Sequence, residues 1–317
     1  MKTNFTLHTE SSYLRYRKSY NINAYKGSDF IKRFLSIIVL ISLIFASSCK
    51  IAETSKDSRF TIAVSIPPLK TIVSEVAGKG VDIVTLIPPG NSPANYAPST
   101  GILKKLEDSV IYFSVGVPAE EANIKPKAIQ LNKDLIVVNL HETVGKSYPD
   151  LYIHEGRDPH IWLSPKRVKI MADEIASQLG AVDPDNADKY KINAETFKRK
   201  MDEADAYIKK GVNKLKNKEF LIYHPSLGYF ADEYGLKMIA VEHEGKDASI
   251  KELGDVIDYA KRKGIKIVLY QAEFDKKQAR IVADEIKGEI QMIYPLSEKY
   301  PDNLKDIIDF LLKSESR

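Results

Sequence analysis

The stretch that decides the fold is residues 185–215, which read DNADKYKINAETFKRKMDEADAYIKKGVNKL. It contains no proline, and its first glycine is Gly211. Apolar and aromatic residues recur at intervals of three and four, the spacing of one face of an α-helix. These residues are Tyr190, Ala194, Phe197, Met201, Ala204, Ile208, Val212 and Leu215. At 1.5 Å per residue the predicted helix is about 45 Å long, enough to connect two lobes of a molecule. A coiled-coil segment is the alternative.

Outside this stretch, short β-rich runs alternate with helical runs. The predicted strands before it are 61–66, 81–87, 110–115 and 136–140, and those after it are 219–223, 238–242, 267–270 and 290–293. The predicted helices are 69–77, 101–106, 164–179, 249–263, 276–285 and 303–312. Such alternation is typical of parallel sheets covered by helices. The predicted fold class is therefore α/β, with two lobes that each hold a parallel sheet flanked by helices, joined by one long rigid helix.

The formal net charge of +4 is concentrated at the start of the chain. Residues 1–48 carry seven Lys or Arg and two Asp or Glu, and the remaining residues carry 40 basic and 41 acidic side chains. Beyond residue 48 no basic stripe with interleaved aromatic residues appears. A nucleic-acid partner is therefore not expected.

The only cysteine, Cys49, ends a segment with the pattern of a lipoprotein signal. Lys32 and Arg33 precede an apolar run, 34–46, that is shorter than the ~20 residues needed to span a bilayer. Two serines then lead to the cysteine, whose thiol would take a lipid anchor. We therefore predict an extracytoplasmic protein, anchored to the cell membrane through Cys49; a buried amino-terminal helix is the alternative.

These patterns divide the chain into five predicted segments. They are the leader 1–48, a polar tether 49–59, an amino-terminal lobe 60–182, the connecting helix 183–216 and a carboxyl-terminal lobe 217–317.

Two histidines occupy positions where a ligand site is expected. His224 directly follows a predicted strand, and His160 directly precedes the helix capped at Ser164. Ligands of open parallel sheets bind beyond the carboxyl ends of the strands, where these side chains should lie. From spacing alone, metal ligation and a structural hydrogen bond are equally open. The paired CxxC, HExxH and GxxxxGK[ST] signatures of other zinc and phosphate sites do not occur.

Several motifs, taken in order, resemble those of one family. They are DPHIWLSP at 158–165, Asp183-Pro184 with Tyr190 and Asn193, YHPSLGYFADEYGL at 223–236, EHEGKDAS at 242–249 and YPL at 294–296. From about residue 60 to 312 the chain resembles the zinc/manganese solute-binding lipoproteins of metal ABC importers. The resemblance implies a monomeric, non-enzymatic receptor that hands Zn²⁺, or a related divalent ion, to an ABC permease and its ATPase.

The resemblance also implies a metal site between the lobes. The histidines of two family motifs fall on His160 and His224. Manganese-selective relatives carry a carboxylate at the second position, so His224 favours zinc over manganese. The loop that supplies a further ligand in some relatives corresponds here to 270–274, in which neither Gln271 nor Glu273 is assigned as a ligand.

One family motif is altered in this chain. The loop that carries the family's first histidine reads GNSPANYAP at 90–98 and places Ala94 at the histidine position. Ser92 and Ala97 stand where the family has acidic residues. We predict that Asn95 replaces the missing ligand with its amide oxygen.

Other ways to rebuild the site stay open. His154 or His243 could approach the metal instead, or two imidazoles could bind zinc together with water. A cleft with another cargo, such as a small molecule or a chelated metal, is a further alternative, as is an adhesion or scaffold protein with the same fold. A zinc hydrolase would need a general base beside an open metal position, and the spacing places none there.

Overall fold

The computed structural model describes residues 60–153, 156–242, 248–274 and 276–315. The first half of the chain forms a four-stranded parallel sheet. Its strands are β1 Phe60–Val64, β2 Val81–Thr85, β3 Ser109–Ser114 and β4 Ile136–Asn139, in the order β2-β1-β3-β4. Its helices are α1 Pro67–Ala77, α2 Thr100–Glu107, α3 Lys125–Leu131 and α4 Leu140–Gly145. The last three residues of β1 and the last four of β3 are buried. Strands buried on both faces need near-continuous apolar sequence, and both supply it.

A short hairpin and two long helices connect this sheet to the next. The hairpin strands are β5 Tyr152–Ile153 and β6 Gly156–Arg157, and the helices are α5 Pro165–Val182 and α6 Ala187–Val212. Ser164 caps α5 by accepting a hydrogen bond from the Arg167 N–H. The connecting helix α6 has 26 residues and is about 39 Å long. It is shorter than predicted at both ends, because Pro184 opens a separate 3₁₀ turn before it and the helix ends at Val212.

The second half forms another four-stranded parallel sheet. Its strands are β7 Glu219–Ile222, β8 Lys237–Ala240, β9 Ile267–Gln271 and β10 Glu289–Ile293, in the order β10-β9-β7-β8. Its helices are α7 Gly228–Tyr234, α8 Ile250–Lys263, α9 Lys277–Glu285 and α10 Asp302–Glu315. In both sheets the first strand along the chain lies between the second and the third. The two sheets therefore share one topology, although the sequence shows no internal repeat.

One hydrophobic core extends through both lobes. It contains Phe113 of the first sheet, Phe197 of the connecting helix and Phe220 of the second sheet. Alternate residues of β7 point to opposite faces of the second sheet. Leu221 therefore joins a smaller core on the outer face of that sheet. The two lobes therefore share one packed interior.

Specific hydrogen bonds also join the lobes near the first turn of α5. The fully buried Trp162 donates its indole N–H to the Pro295 carbonyl at 3.0 Å. In return, the Tyr300 hydroxyl donates to the Trp162 carbonyl at 2.6 Å. Buried indole and phenol groups need such partners.

The predicted α/β class with two parallel sheets and one long helix is confirmed. The leader, the tether and Cys49 lie outside the described residues, as do His154 and His243. Within the described residues, no helix combines the length and apolar character that a membrane span requires.

Candidate metal site

A cavity of about 550 Å³ lies between the two sheets, where the loops after their strands meet. The loops after β2, β3, β7, β9 and β10 all contribute to its walls, together with the segment after β6. The β7 and β9 loops leave the second sheet beside the point where its strand order reverses. Open α/β sheets bind ligands at such points.

His160 lies in this wall and is held by a buried carboxylate. Its Nδ1 is 2.7 Å from Oδ1 of Asp158, and the same oxygen accepts the His160 backbone N–H at 2.9 Å. Burial lowers the pKa of His160 below its ordinary value of 6.5, and the adjacent Asp158 opposes that shift. A neutral ring whose Nδ1–H donates to Asp158 keeps its Nε2 lone pair available for a metal.

His224 lies in the loop after β7, in the other lobe, and is likewise held by a buried carboxylate. Its Nδ1 is 2.9 Å from Oε2 of Glu242, which follows β8 and is 4% exposed. The ring of Phe274 stacks on the imidazole at a centroid distance of 4.5 Å and an angle of 19°. These two contacts fix the ring and leave Nε2 as its ligating nitrogen.

The two imidazoles lie close enough to share one ion. Their ring centroids are 5.4 Å apart, and the rings are inclined at 73°. Zinc binds imidazole nitrogen at about 2.0–2.1 Å, so two imidazoles on a tetrahedral zinc have centroids about 5 Å apart. The observed separation agrees with that value.

The structure does not bring Asn95 to these histidines. Asn95 is exposed and does not line the cavity, whereas its neighbour Ala94 does. Across the described ranges, no cluster of three or more His, Cys, Asp or Glu side chains is suited to hold a metal. The described residues therefore supply two imidazoles, and the prediction that Asn95 joins them is not supported by its position.

The loop after β9 lies beside His224, and its two polar residues differ in their environment. Gln271 is buried and donates to the Ser226 hydroxyl at 2.5 Å. Burial raises the pKa of Glu273, and the nearby His224 acts in the opposite direction. One carboxylate oxygen of Glu273 is buried without a hydrogen-bond partner. Glu273 does not line the cavity.

A buried carboxylate also fixes the loop after β3. Glu120 is fully buried and accepts hydrogen bonds from the Ser65 and Tyr112 hydroxyls. It also accepts the Val117 backbone N–H at 2.9 Å. This holds Val117 and Pro118 in the cavity wall.

Sequence reasoning did not find the residues that hold the imidazoles. Asp158 lies two positions before His160, a spacing at which a carboxylate can reach back to the ring. Glu242 is 18 residues from His224. Because β7 and β8 are parallel neighbours, their carboxyl ends meet. Glu242 can therefore be found as the partner of His224 only from the pairing of β7 with β8, which the sequence does not reveal.

Residues 62–313 match the family model described as ZnuA, zinc-uptake complex component A, periplasmic. The chain belongs to the ZnuA family. The family is one of solute-binding receptors, which confirms the resemblance inferred from the motifs.

Relatives within this family carry zinc in their names. The zinc-binding protein AdcA of Streptococcus pyogenes serotype M3 is 26% identical over 289 residues, which cover 84% of this chain and 56% of AdcA. The chain thus spans about half the length of that relative. The high-affinity zinc uptake system protein ZnuA of Bacillus subtilis is 24% identical, over 81% of this chain and 85% of its own length.

Solved structures of the ZnuA family have the same fold. A crystal structure of ZnuA superposes with a TM-score of 0.77 at 30% identity, covering 81% of this chain and 99% of that one. The laminin-binding protein Lbp of Streptococcus pyogenes superposes with a TM-score of 0.69 at 21% identity, over 81% of this chain and 98% of that chain. The second likeness concerns the fold alone.

Proposed function

We propose that this protein is an extracytoplasmic receptor that binds Zn²⁺ between His160 and His224 and delivers it to an ABC importer. The observation that supports this most directly is the pair of imidazoles, one from each lobe, with centroids 5.4 Å apart. Each ring has its Nδ1 on a buried carboxylate, the arrangement that orients histidine for a metal. The permease and ATPase of the importer would be its partners.

Zinc fits this pair of ligands better than manganese does. Neutral imidazole suits zinc, whereas Mn²⁺ prefers carboxylate, carbonyl and water oxygens. The site has an imidazole, His224, at the position where manganese-selective relatives carry a carboxylate. Membrane attachment through Cys49 and a monomeric state complete the proposal. A pneumococcal relative is named a zinc-binding lipoprotein, which supports the attachment.

Zinc affinity is expected to be steady at neutral pH and to fall in acid. A protonated imidazole cannot bind the metal, so protons compete with zinc once the pH drops below the pKa of a ligand. Burial places the pKa of His160 below 6.5, so its contribution is lost only below that pH. Calorimetric zinc titrations at about pH 7.5 and about pH 5.5 should show weaker binding in acid.

A manganese titration at about pH 7.5 measures the metal preference. It is expected to show weaker binding than the zinc titration at the same pH. Zinc affinity that is unchanged between the two pH values would contradict ligation by histidine.

Glu242→Gln is expected to lower zinc affinity by about tenfold. The carboxylate accepts the Nδ1–H of His224, and an amide makes a weaker acceptor that can also turn its NH₂ toward the ring. Loss of such an orienting partner weakens metal sites by roughly 10–100-fold. The matched control is Glu121→Gln, which changes an exposed carboxylate paired with Lys125. Equal affinities for the two variants would show that Glu242 does not orient the ligand.

A further inference from the structure

The cavity is larger than a single ion requires. Its volume of about 550 Å³ falls within the roughly 300–1,000 Å³ of pockets that hold small organic molecules. Its walls include apolar side chains from both lobes, among them Val117, Trp162, Phe274 and Leu296. An ion held by two imidazoles makes no use of such walls.

The metal position is also incomplete within the described residues. Tetrahedral zinc takes four ligands, and the structure supplies His160 and His224. Ala94, at the place of the family's missing histidine, contributes a methyl group to the cavity wall. The described residues thus leave two coordination positions unfilled, which groups that come with the cargo could take.

A cation without an anionic partner lies in the same wall. Arg157, in β6, lines the cavity and forms no ion pair with any described residue. One of its terminal nitrogens donates to the Gly116 carbonyl at 2.5 Å and the Val115 carbonyl at 3.4 Å. The other terminal nitrogen is buried and has no acceptor among the described residues. A buried guanidinium nitrogen without an acceptor is unfavourable unless a ligand supplies one.

The backbone beside this arginine is shaped to let it approach. Gly116 has φ of +75°, a conformation that L side chains rarely adopt. A Cβ at this position would lie 2.6 Å from the Arg157 terminal nitrogen and 2.8 Å from Nδ1 of His141. Glycine therefore allows the guanidinium to lie against the loop carbonyls, at the edge of the cavity.

A fixed positive charge close to His160 matters for the cargo. Arg157 and His160 line the same cavity and are three residues apart along the chain. The Arg157 charge attracts the carboxylate of a chelator already bound to the metal. A guanidinium nitrogen donates a strong, charge-assisted hydrogen bond to a carboxylate.

We propose that the cargo is Zn²⁺ together with a small carboxylate-bearing chelator. This inference rests on the proposed zinc site. His160 and His224 bind the metal, the chelator fills the remaining coordination positions, and one of its carboxylates pairs with Arg157. The apolar walls pack against its carbon skeleton. No bond is made or broken other than metal coordination.

The test measures the zinc affinity of the full chain at buffered concentrations of free zinc. It is done without a chelator, with citrate and with L-histidine. If the ternary complex forms, affinity referred to free zinc rises in the presence of at least one chelator by about tenfold or more, the effect of one charge-assisted contact. If both chelators only compete for zinc, the inference is overturned and the zinc site stands. If zinc does not bind under any of these conditions, the proposed function fails as well.

Two comparisons connect the gain to Arg157. The gain, taken for each variant as the ratio of affinities with and without chelator, is expected to vanish in Arg157→Gln and to persist in Arg262→Gln, a surface control. Ethylenediamine is a chelator without a carboxylate. With the unmodified chain it is expected to compete with the protein for zinc and to give no gain in affinity. A full gain in Arg157→Gln, or an equal gain with ethylenediamine, would overturn the role of the arginine. Thermal unfolding of each variant checks that it is folded.

Discussion

Alanine in place of either His160 or His224 is expected to lower zinc affinity by at least about 100-fold. Removing a residue that only orients a ligand costs metal sites roughly 10–100-fold, and removing the ligand itself should cost no less. With one imidazole gone, the ion would retain one imidazole ligand among the described residues. Calorimetry in the presence of a competing chelator of known zinc affinity measures the loss.

The control for both variants is His141→Ala. His141 is the remaining histidine of the described residues and does not line the cavity. Its replacement is expected to leave the affinity for zinc unchanged within about twofold. If the His160 and His224 variants both bind zinc as the unmodified chain does, the site assignment is wrong. If only one of them loses affinity, the metal is bound on one wall and not between the lobes.

Ala94→His is expected to raise the affinity for free zinc by about 100-fold. It would add a third imidazole to a site that has two, giving the three-ligand arrangement common for zinc. Ala94 is exposed and lines the cavity, so the larger side chain has room to extend into it. A third protein ligand occupies a position otherwise left to the chelator, so the gain from citrate or L-histidine should shrink in the same variant.

Asn95→Ala is the matched control in the neighbouring position. Because Asn95 lies outside the cavity wall, its loss should leave zinc affinity within about twofold of the unmodified chain. A large loss in this variant would mean that the loop rearranges to bring the amide to the metal. An Ala94→His variant without increased affinity would place the metal away from this loop.

The long helix and the two sheets were predictable because each rests on a local pattern. The connecting helix shows its apolar face over eight regularly spaced residues, and the strands are short β-rich runs between helical ones. Three short helices, α3, α4 and α7, and the β5–β6 hairpin were not predicted. Helices of six or seven residues and strands of two residues are too short to display a period.

The site was predictable only in part, because strand order and loop geometry are not local. His160 and His224 follow from their positions beside regular elements. Asn95 was chosen because its amide oxygen can bind a metal, yet the side-chain direction of a residue in an irregular loop depends on backbone angles that the sequence does not specify. Arg157 gave no signal either, since its missing partner becomes visible only when the surrounding chain is in place.

The core shared by both lobes has a consequence for the speed of capture. Phe113, Phe197 and Phe220 belong to one packed interior, so the spacing of the two imidazoles is set when the chain folds, before any ion arrives. Little reorganisation is then left for the binding step. The rate at which cargo is bound should depend on how fast the metal exchanges its water or chelator groups for the two imidazoles, and not on a swinging movement of the halves.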